Sequence, residues 1–207
     1  MRSMRNMMTN KITVLFQGDS ITDCDRNVIP PYGNGYVSRI VTAFPELNII
    51  NKGISGNRVI DLKERWQRDT LDQHPDILCI MVGVNEVWHY LSYGKPYSDE
   101  QYYTDLNLIL DQAKAANPKL KLIMMAPFLF EVGVVQPDWL APLARLRSLF
   151  TKTAATKADV FIDLQSELNL ALANASMSDL AGDGVHPSPL GHEIIAKSVK
   201  KALNQLL

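Results

Sequence analysis

Cysteine is scarce in this sequence. Its two cysteines, Cys24 and Cys79, are too few for a disulfide framework or a cysteine-based metal centre. Neither sign of charge is in excess, because 21 lysines and arginines face 22 aspartates and glutamates, for a net charge of −1. A protein that binds the phosphates of nucleic acid needs an excess of basic residues, so we expect no nucleic-acid partner. Two free thiols suit a reducing compartment, which predicts a cytoplasmic location.

Long apolar runs are also missing. No run approaches the roughly 20 residues that a membrane-spanning helix needs, so we expect no membrane segment. Residues 1–10 lack the apolar centre of a signal peptide and are interpreted as a loose tail. The rest is ordinary: 46% of the 207 residues are hydrophobic and 21% are charged, which excludes disorder. The sequence predicts one domain over residues 1–207.

Segments typical of strands and of helices alternate along the chain. Five short apolar runs predict strands, at 12–16, 47–51, 77–82, 120–126 and 160–163. Amphipathic or capped segments predict helices at 36–44, 58–71, 98–116, 137–157, 166–173 and from Pro189 to the C-terminus. This alternation is typical of a parallel sheet with helices on both faces. The predicted fold is a three-layer α/β/α sandwich of the flavodoxin-like type with a five-stranded parallel sheet.

Ser20 closes the segment Gly18-Asp19-Ser20, directly after the first predicted strand. Ligands of open α/β sheets bind at the carboxyl ends of the strands. A serine there is often only a helix N-cap, and it becomes a nucleophile when a base and an oxyanion hole lie beside it. The pattern Asp183-x-x-His186 supplies a candidate base and a carboxylate to orient it, which we expect on one face of a helical turn.

Two further strand-end turns hold Gly56 and Asn85. With strand order 2-1-3-4-5, both turns would lie beside Ser20 at the point where the order reverses. The backbone N–H groups of Ser20 and Gly56 and the side-chain amide of Asn85 are then candidate donors to a developing oxyanion. A lone asparagine after a strand is usually a turn residue, so the prediction depends on the whole set.

The four blocks together resemble the GDSL or SGNH hydrolases: Gly-Asp-Ser at 18–20, Asn-x-Gly-x-x-Gly at 51–56, Gly-x-Asn at 83–85 and Asp-x-x-His at 183–186. The residues within and around these blocks are similar to those of the bacterial intracellular acetyl xylan esterases of this family. The resemblance implies a serine esterase with Ser20, Asp183 and His186 as the triad, with Gly56 and Asn85 as oxyanion donors, and with neither metal nor cofactor. The implied substrate is a small-molecule ester, an acetylated sugar.

One residue departs from the family pattern. Glu86 stands where the family usually has aspartate after the asparagine. One extra methylene is not expected to abolish catalysis, although it could change how Asn85 is held. Two neighbours of Ser20 are given no chemical role: Asp19 is predicted to hold the turn, and Cys24 has no second set of partners that would make it a nucleophile.

Candidate substrate contacts are less specific. Residues 88–97 are predicted to form a loop rich in rings, which either packs internally or lines a sugar site. From this loop we select Trp88 and Tyr90. Three further candidates follow the first two turns: Arg26, Asn57 and Arg58.

Two other functions remain open from the sequence. A lysophospholipase or thioesterase would use the same triad on longer acyl chains, and Phe128, Leu129 and Phe130 are the one cluster placed to form the apolar channel it needs. A non-catalytic flavodoxin-like binding domain would leave Asp183 and His186 without a task. Association into a homo-oligomer is also left open.

Overall fold

A computed structural model describes residues 11–207 and is organised around one five-stranded sheet. Its strands are β1 Thr13–Gly18, β2 Asn48–Asn51, β3 Ile77–Met81, β4 Lys121–Ala126 and β5 Val160–Asp163. All neighbouring pairs are parallel, in the order β2-β1-β3-β4-β5. The order reverses between β1 and β3, which places the carboxyl ends of these two strands at the edge where such sheets bind ligands.

Helices follow the strands and cover both faces of the sheet. They are α1 Ser20–Asp23, α2 Tyr36–Ala43, α3 Val59–Asp69, α4 Val84–Tyr93, α5 Asp99–Ala116, α6 Pro137–Lys157, α7 Leu164–Ala171, α8 Met177–Leu180 and α9 Pro189–Leu206. A short 3₁₀ turn spans Leu71–Gln73. Helix α8 was not expected from the sequence, and the predicted tail at 1–10 lies outside the described residues.

Alternation along β1 explains the three layers. Val14 and Phe16 point into a core shared with α2, α7 and α9, whereas Leu15 points into a second core shared with α3, α5 and α6. All three side chains are fully buried, as expected for a central strand with both faces covered. The predicted fold class, a flavodoxin-like α/β/α sandwich with a parallel sheet, is confirmed.

The aromatic segment after β3 is helical, so the prediction of a loop at 88–97 was wrong for most of its length. Helix α4 begins immediately after Gly83, whose φ of +138° turns the chain directly from strand into helix. It ends at Gly94, which has a φ of +63° and donates its N–H to the carbonyl of Tyr90. Gly83 and Gly94 therefore mark the two ends of α4, although its aromatic residues had suggested a loop.

None of the helices within residues 11–207 combines the length and the apolarity that a bilayer crossing requires.

Candidate active site

Ser20 is the first residue of α1 and directly follows the turn after β1. Asp19 caps this helix, because its Oδ1 accepts the N–H of Ile21 at 3.0 Å. A Cβ at Gly18 would lie 2.4 Å from the carbonyl oxygen of Met81, so only glycine fits where β1 meets β3. Asp19 is fully buried, and this burial raises the pKa of its carboxyl to about 7. Local geometry therefore fixes the position of the serine.

Ser20, His186 and Asp183 form a continuous chain of hydrogen bonds. The distance from Ser20 Oγ to His186 Nε2 is 2.9 Å, and that from His186 Nδ1 to Asp183 Oδ2 is 2.6 Å. The expectation of a helical turn was wrong, since both residues precede α9 in a loop. Asp183 shapes that loop itself, because its Oδ1 accepts the N–H groups of Val185 at 2.9 Å and of His186 at 2.7 Å.

The protonation state of Asp183 sets the direction of this chain. Partial burial alone would raise the pKa of Asp183, but the hydrogen bonds from His186 and Val185 outweigh it and hold the pKa below its ordinary value. An ionised carboxylate only accepts hydrogen bonds, so His186 carries its proton on Nδ1. Its Nε2 lone pair then faces the hydroxyl of Ser20, which is the tautomer a general base needs.

The candidate oxyanion donors lie at the starts of α1 and α4 and on the Gly56 turn, which is tied to α1. Asp23 accepts both the N–H of Ser55 at 3.0 Å and its hydroxyl at 2.8 Å, which holds the Gly56 turn against this helix. Within residues 11–207, neither the N–H of Ser20 nor that of Gly56 donates a hydrogen bond to another group. Asn85 donates one amide hydrogen to the carbonyl of Asn57 at 3.1 Å and keeps its second. Three N–H donors therefore remain available.

Helix α4 carries Asn85 in its first turn and places two rings near the site. Trp88 lies between His186 and Trp139, with ring centroids 5.5 Å from each. His89 reaches the Gly56 turn, since a Cβ at Gly56 would be 3.9 Å from its imidazole. Tyr90 packs edge-on against Tyr97 at 5.6 Å instead, roughly 140° around the helix from Asn85.

The three remaining candidate contacts have internal partners. Arg26 donates to the carbonyl of Gly53 at 3.0 Å, and Asn57 Oδ1 accepts from Arg65 at 2.7 Å. The side chain of Arg58 lies 3.5 Å from Asp61 at the start of α3. These contacts brace the turns around the site, a task that the sequence did not reveal.

Glu86 supports the fold next to Asn85. Its Oε1 accepts the N–H of Val59, the first residue of α3, at 2.7 Å. The side chain is buried, and this burial raises its pKa to about 7, with nearby Asp19 adding to the rise. The carboxyl thus satisfies a helix N-terminus.

A second nucleophile–histidine pair, Cys24 and His192, lies nearby and is not marked by any sequence motif. Cys24 Sγ lies 3.4 Å from His192 Nε2, and His192 Nδ1 accepts the N–H of Tyr36 at 3.2 Å. In the part of the chain that the structure describes, no group of three histidine, cysteine, aspartate or glutamate side chains is arranged to hold a metal ion.

Comparison with known proteins gives consistent matches. The model of the GDSL-like Lipase/Acylhydrolase family matches residues 16–194. An acetylxylan esterase of Geobacillus stearothermophilus is 36% identical in an alignment of 203 positions, and the alignment covers 89% of this chain and 90% of that protein. A crystal structure of that esterase has a TM-score of 0.80 and 34% identity over 92% of this chain and 93% of its own.

Further structures agree with these matches. A protein of Parabacteroides merdae, named for its likeness to GDSL lipases, has a TM-score of 0.83 and 34% identity over 90% of this chain and 93% of its own. Catalytic mutants of the Geobacillus esterase replace a serine, an aspartate or a histidine with alanine. The mutated aspartate and histidine are three positions apart, as Asp183 and His186 are here. The predicted enzyme class, an ester hydrolase, is confirmed by this family.

Proposed function

Because the chain belongs to the GDSL-like lipase/acylhydrolase family, we propose that it is a serine esterase that removes acetyl groups from xylo-oligosaccharides. The observation that carries the proposal is the chain of two hydrogen bonds, 2.9 and 2.6 Å long, from Ser20 through His186 to Asp183. The acetylated sugar is suggested by the acetylxylan esterase that this chain resembles over most of its length.

Acylation begins when Ser20 Oγ attacks the carbonyl carbon of the acetyl group. His186 Nε2 takes the hydroxyl proton, and Asp183 stabilises the imidazolium that forms. The carbonyl oxygen becomes an oxyanion, which the N–H groups of Ser20 and Gly56 and the amide of Asn85 stabilise. Collapse of this intermediate breaks the ester bond, and His186 returns the proton to the departing sugar oxygen. The products are a free sugar hydroxyl and acetyl-Ser20.

Deacylation repeats the same steps with water. His186 takes a proton from a water molecule, whose oxygen attacks the acetyl carbon. The second oxyanion is held by the same donors. When it collapses, the bond to Ser20 breaks, the proton returns from His186 to Ser20 Oγ, and acetic acid leaves and ionises to acetate in solution. No cofactor enters either half of this proposed cycle.

The leaving sugar is expected to lie on the side of His186, because that imidazole protonates its oxygen. Trp88 is the candidate ring on this side, at 5.5 Å from His186. A half-buried tryptophan offers a flat apolar face and a polar N–H, a combination suited to a sugar ring. Tyr90 faces another side of α4, so we give it no sugar contact in this proposal.

The alternative of a long-chain lipase or thioesterase has less support. The cluster that would line an acyl channel, Phe128, Leu129 and Phe130, is buried in the two cores. Side chains committed to core packing do not provide an open channel for a flexible acyl chain. A cytoplasmic location and assembly into a homo-oligomer stay predictions.

The test compares substrates at equal concentration. Acetate release from acetylated xylo-oligosaccharides is measured beside hydrolysis of p-nitrophenyl acetate, butyrate and octanoate, with Ser20→Ala as the control. We expect acetylated oligosaccharides to be turned over, and p-nitrophenyl turnover to fall steeply from acetate to octanoate. Equal or rising activity toward octanoate would contradict an acetyl-specific site. Hydrolysis of the synthetic acetate with none of any acetylated saccharide would refute the sugar substrate.

A further inference from the structure

Arg65, on α3, joins the strand-end turns that carry the proposed site. Its guanidinium donates from Nη2 to the carbonyl of Gly18 at 3.3 Å and from Nη1 to the carbonyl of Lys52 at 2.9 Å. Its Nε donates to Asn57 Oδ1 at 2.7 Å. The side chain is only 9% exposed. One buried cation therefore bonds to the last residue of β1 and to two points of the turn after β2.

A buried partner holds the guanidinium in this position. Asp69 Oδ2, one helical turn along α3, lies 3.3 Å from Arg65 Nη1. Burial lowers the pKa of Arg65, while the hydrogen bond and the charge of Asp69 act in the opposite direction. Arginine stays protonated in proteins, and its planar fork can serve several acceptors at once. Lysine, with one ammonium group, cannot reproduce that geometry.

Every candidate oxyanion donor is close to a group that Arg65 holds. Ser20 follows Gly18 by two residues, and Gly56 directly precedes Asn57. Asn85, at the start of α4, donates its amide to the carbonyl of the same Asn57 at 3.1 Å. The contacts of Arg65 thus lie next to all three donors, and they reach Asn85 through Asn57.

We propose that Arg65 is a positioning residue for the oxyanion hole, which acts by holding the Gly18, Lys52 and Asn57 groups in one arrangement. This inference rests on the serine esterase activity proposed above. A hole whose donors come from three separate segments works only if those donors stay aligned with an oxygen that carries full charge in the transition state. Loss of the brace should therefore reduce turnover far more than it weakens binding of the neutral substrate.

Arg68 offers a matched control on the same helix. It pairs with the same carboxylate as Arg65, at 2.7 Å from Asp69 Oδ2, but its side chain is 74% exposed. Among residues 11–207 its side chain makes no hydrogen bond to the segments that carry the three donors. Arg68→Ala therefore removes an arginine–Asp69 pair without touching the proposed brace.

The experiment measures kcat, KM and melting temperature for the wild type, Arg65→Ala, Arg65→Lys and Arg68→Ala with p-nitrophenyl acetate. We expect Arg65→Ala to lower the kcat of the folded protein by about 10- to 100-fold, with KM changed by less than about threefold. Arg65→Lys should be intermediate. Arg68→Ala should stay within about twofold of the wild type.

A second measurement tests the path through Asn57. If Arg65 acts partly by holding this side chain, Asn57→Ala also lowers kcat, and the double variant with Arg65→Ala loses less than the product of the two single losses. Should Arg65→Ala fail to fold, Arg65→Lys and Asn57→Ala carry the test.

Three results would overturn the positioning role: an unchanged kcat in Arg65→Ala or, where it does not fold, in Arg65→Lys; a loss equal to that of Arg68→Ala; or an effect confined to KM. A wild type without esterase activity would instead refute the proposed function.

Discussion

Two nucleophile–histidine pairs lie close together in this molecule, and only one is arranged for catalysis. Ser20 and His186 are 2.9 Å apart, and Cys24 and His192 are 3.4 Å apart. Each pair joins the segment after β1 to the segment around the start of α9. They differ in the group that contacts the other imidazole nitrogen, and this second contact decides which histidine can take a proton.

In the first pair, Asp183 accepts from Nδ1 of His186, which leaves Nε2 free to act as a base toward Ser20. In the second pair, Nδ1 of His192 already accepts the N–H of Tyr36. The neutral ring then carries its proton on Nε2, so it donates toward sulfur and cannot deprotonate it. Burial lowers the pKa of His192 to about 4, which keeps it neutral at physiological pH.

The cysteine itself is also unsuited to attack. Burial and the nearby charge of Asp25 raise the pKa of the Cys24 thiol. A thiol is reactive as the thiolate, and a raised pKa depletes that form. Proximity of a nucleophile to a histidine is therefore a poor guide to function. The group that bonds to the other imidazole nitrogen is a better guide to function.

The largest expected effect concerns the catalytic pair. Ser20→Ala or His186→Ala should lower kcat by roughly 10⁴-fold or more, because either change removes the nucleophile or its base. Asp183→Asn should lose less than either, since its role is to orient the imidazole and stabilise its charge. Stopped assays measure kcat for each variant, and circular dichroism checks that the variant is folded. Near-wild-type turnover of Ser20→Ala would refute the mechanism.

The next effect concerns Asn85, which distinguishes an oxyanion donor from a turn residue. Asn85→Ala should cut kcat by roughly 10² to 10³, or about 2.7–4 kcal/mol, with a much smaller change in KM. Residual activity should persist through the N–H groups of Ser20 and Gly56. Steady-state kinetics and melting temperature on one preparation decide the matter. A raised KM with unchanged kcat would mean ordinary substrate binding, and the oxyanion role would be withdrawn.

His192→Ala should affect stability rather than chemistry. The change leaves the N–H of Tyr36 without its acceptor at the start of α2, at a cost of about 1–3 kcal/mol. The kcat of the folded protein should stay within a few-fold of the wild type. Urea denaturation and active-site titration measure the two quantities separately. If His192→Ala lost turnover as severely as His186→Ala, the conclusion that only the Ser20–His186 pair is catalytic would be wrong.

Two carboxyls near the site differ in a similar way. Asp183 is partly exposed and has a lowered pKa, whereas Glu86 is buried and has a raised pKa. The folded-state pKa of Glu86, about 7, exceeds its unfolded value of 4.5, so the folded state binds its proton more tightly. That contribution to stability is complete below pH 4.5 and is lost as the pH rises through 7. Glu86→Gln keeps an acceptor for the N–H of Val59 and cannot ionise.

We therefore expect the wild type to lose about 1–3 kcal/mol more stability than Glu86→Gln between about pH 5 and pH 8. Asp19, whose pKa is also about 7, is present in both proteins, so the difference reports Glu86 together with the charge that Asp19 places beside it. Urea titrations at the two pH values provide the measurement. Parallel losses in both proteins would contradict an ionisation penalty at Glu86.

Much of the fold followed from local pattern. The run ending at Phe16 predicted a strand buried on both faces, and the alternation of elements predicted the parallel sheet. Helix α4 was missed because its rings obscured the 3.6-residue period, although Gly83 and Gly94 mark its ends. The start of α7 at Leu164 was placed two residues late, because Asp163 serves both as the last residue of β5 and as the helix cap.

The site was predictable only where its residues sit in recognisable blocks. Ser20, Asn85 and the Asp183–His186 pair occupy such blocks, and the structure brings serine, histidine and aspartate into contact. The contacts of Arg65 and His192 were not predictable, because their partners are distant in sequence and no recognisable block links them. Arg65 bonds to Gly18 across 47 positions, and His192 lies beside Cys24 across 168. Only the packing of α3 and α9 on the sheet creates them.

The central claim is that Ser20 is activated by His186 while Cys24 is not activated by His192. A fluorophosphonate probe, followed by peptide mass mapping, tests it most directly. We expect one modified residue, Ser20, with labelling abolished in His186→Ala and retained in folded His192→Ala. An unlabelled wild type, or labelling that survives in His186→Ala but is lost in folded His192→Ala, would contradict it.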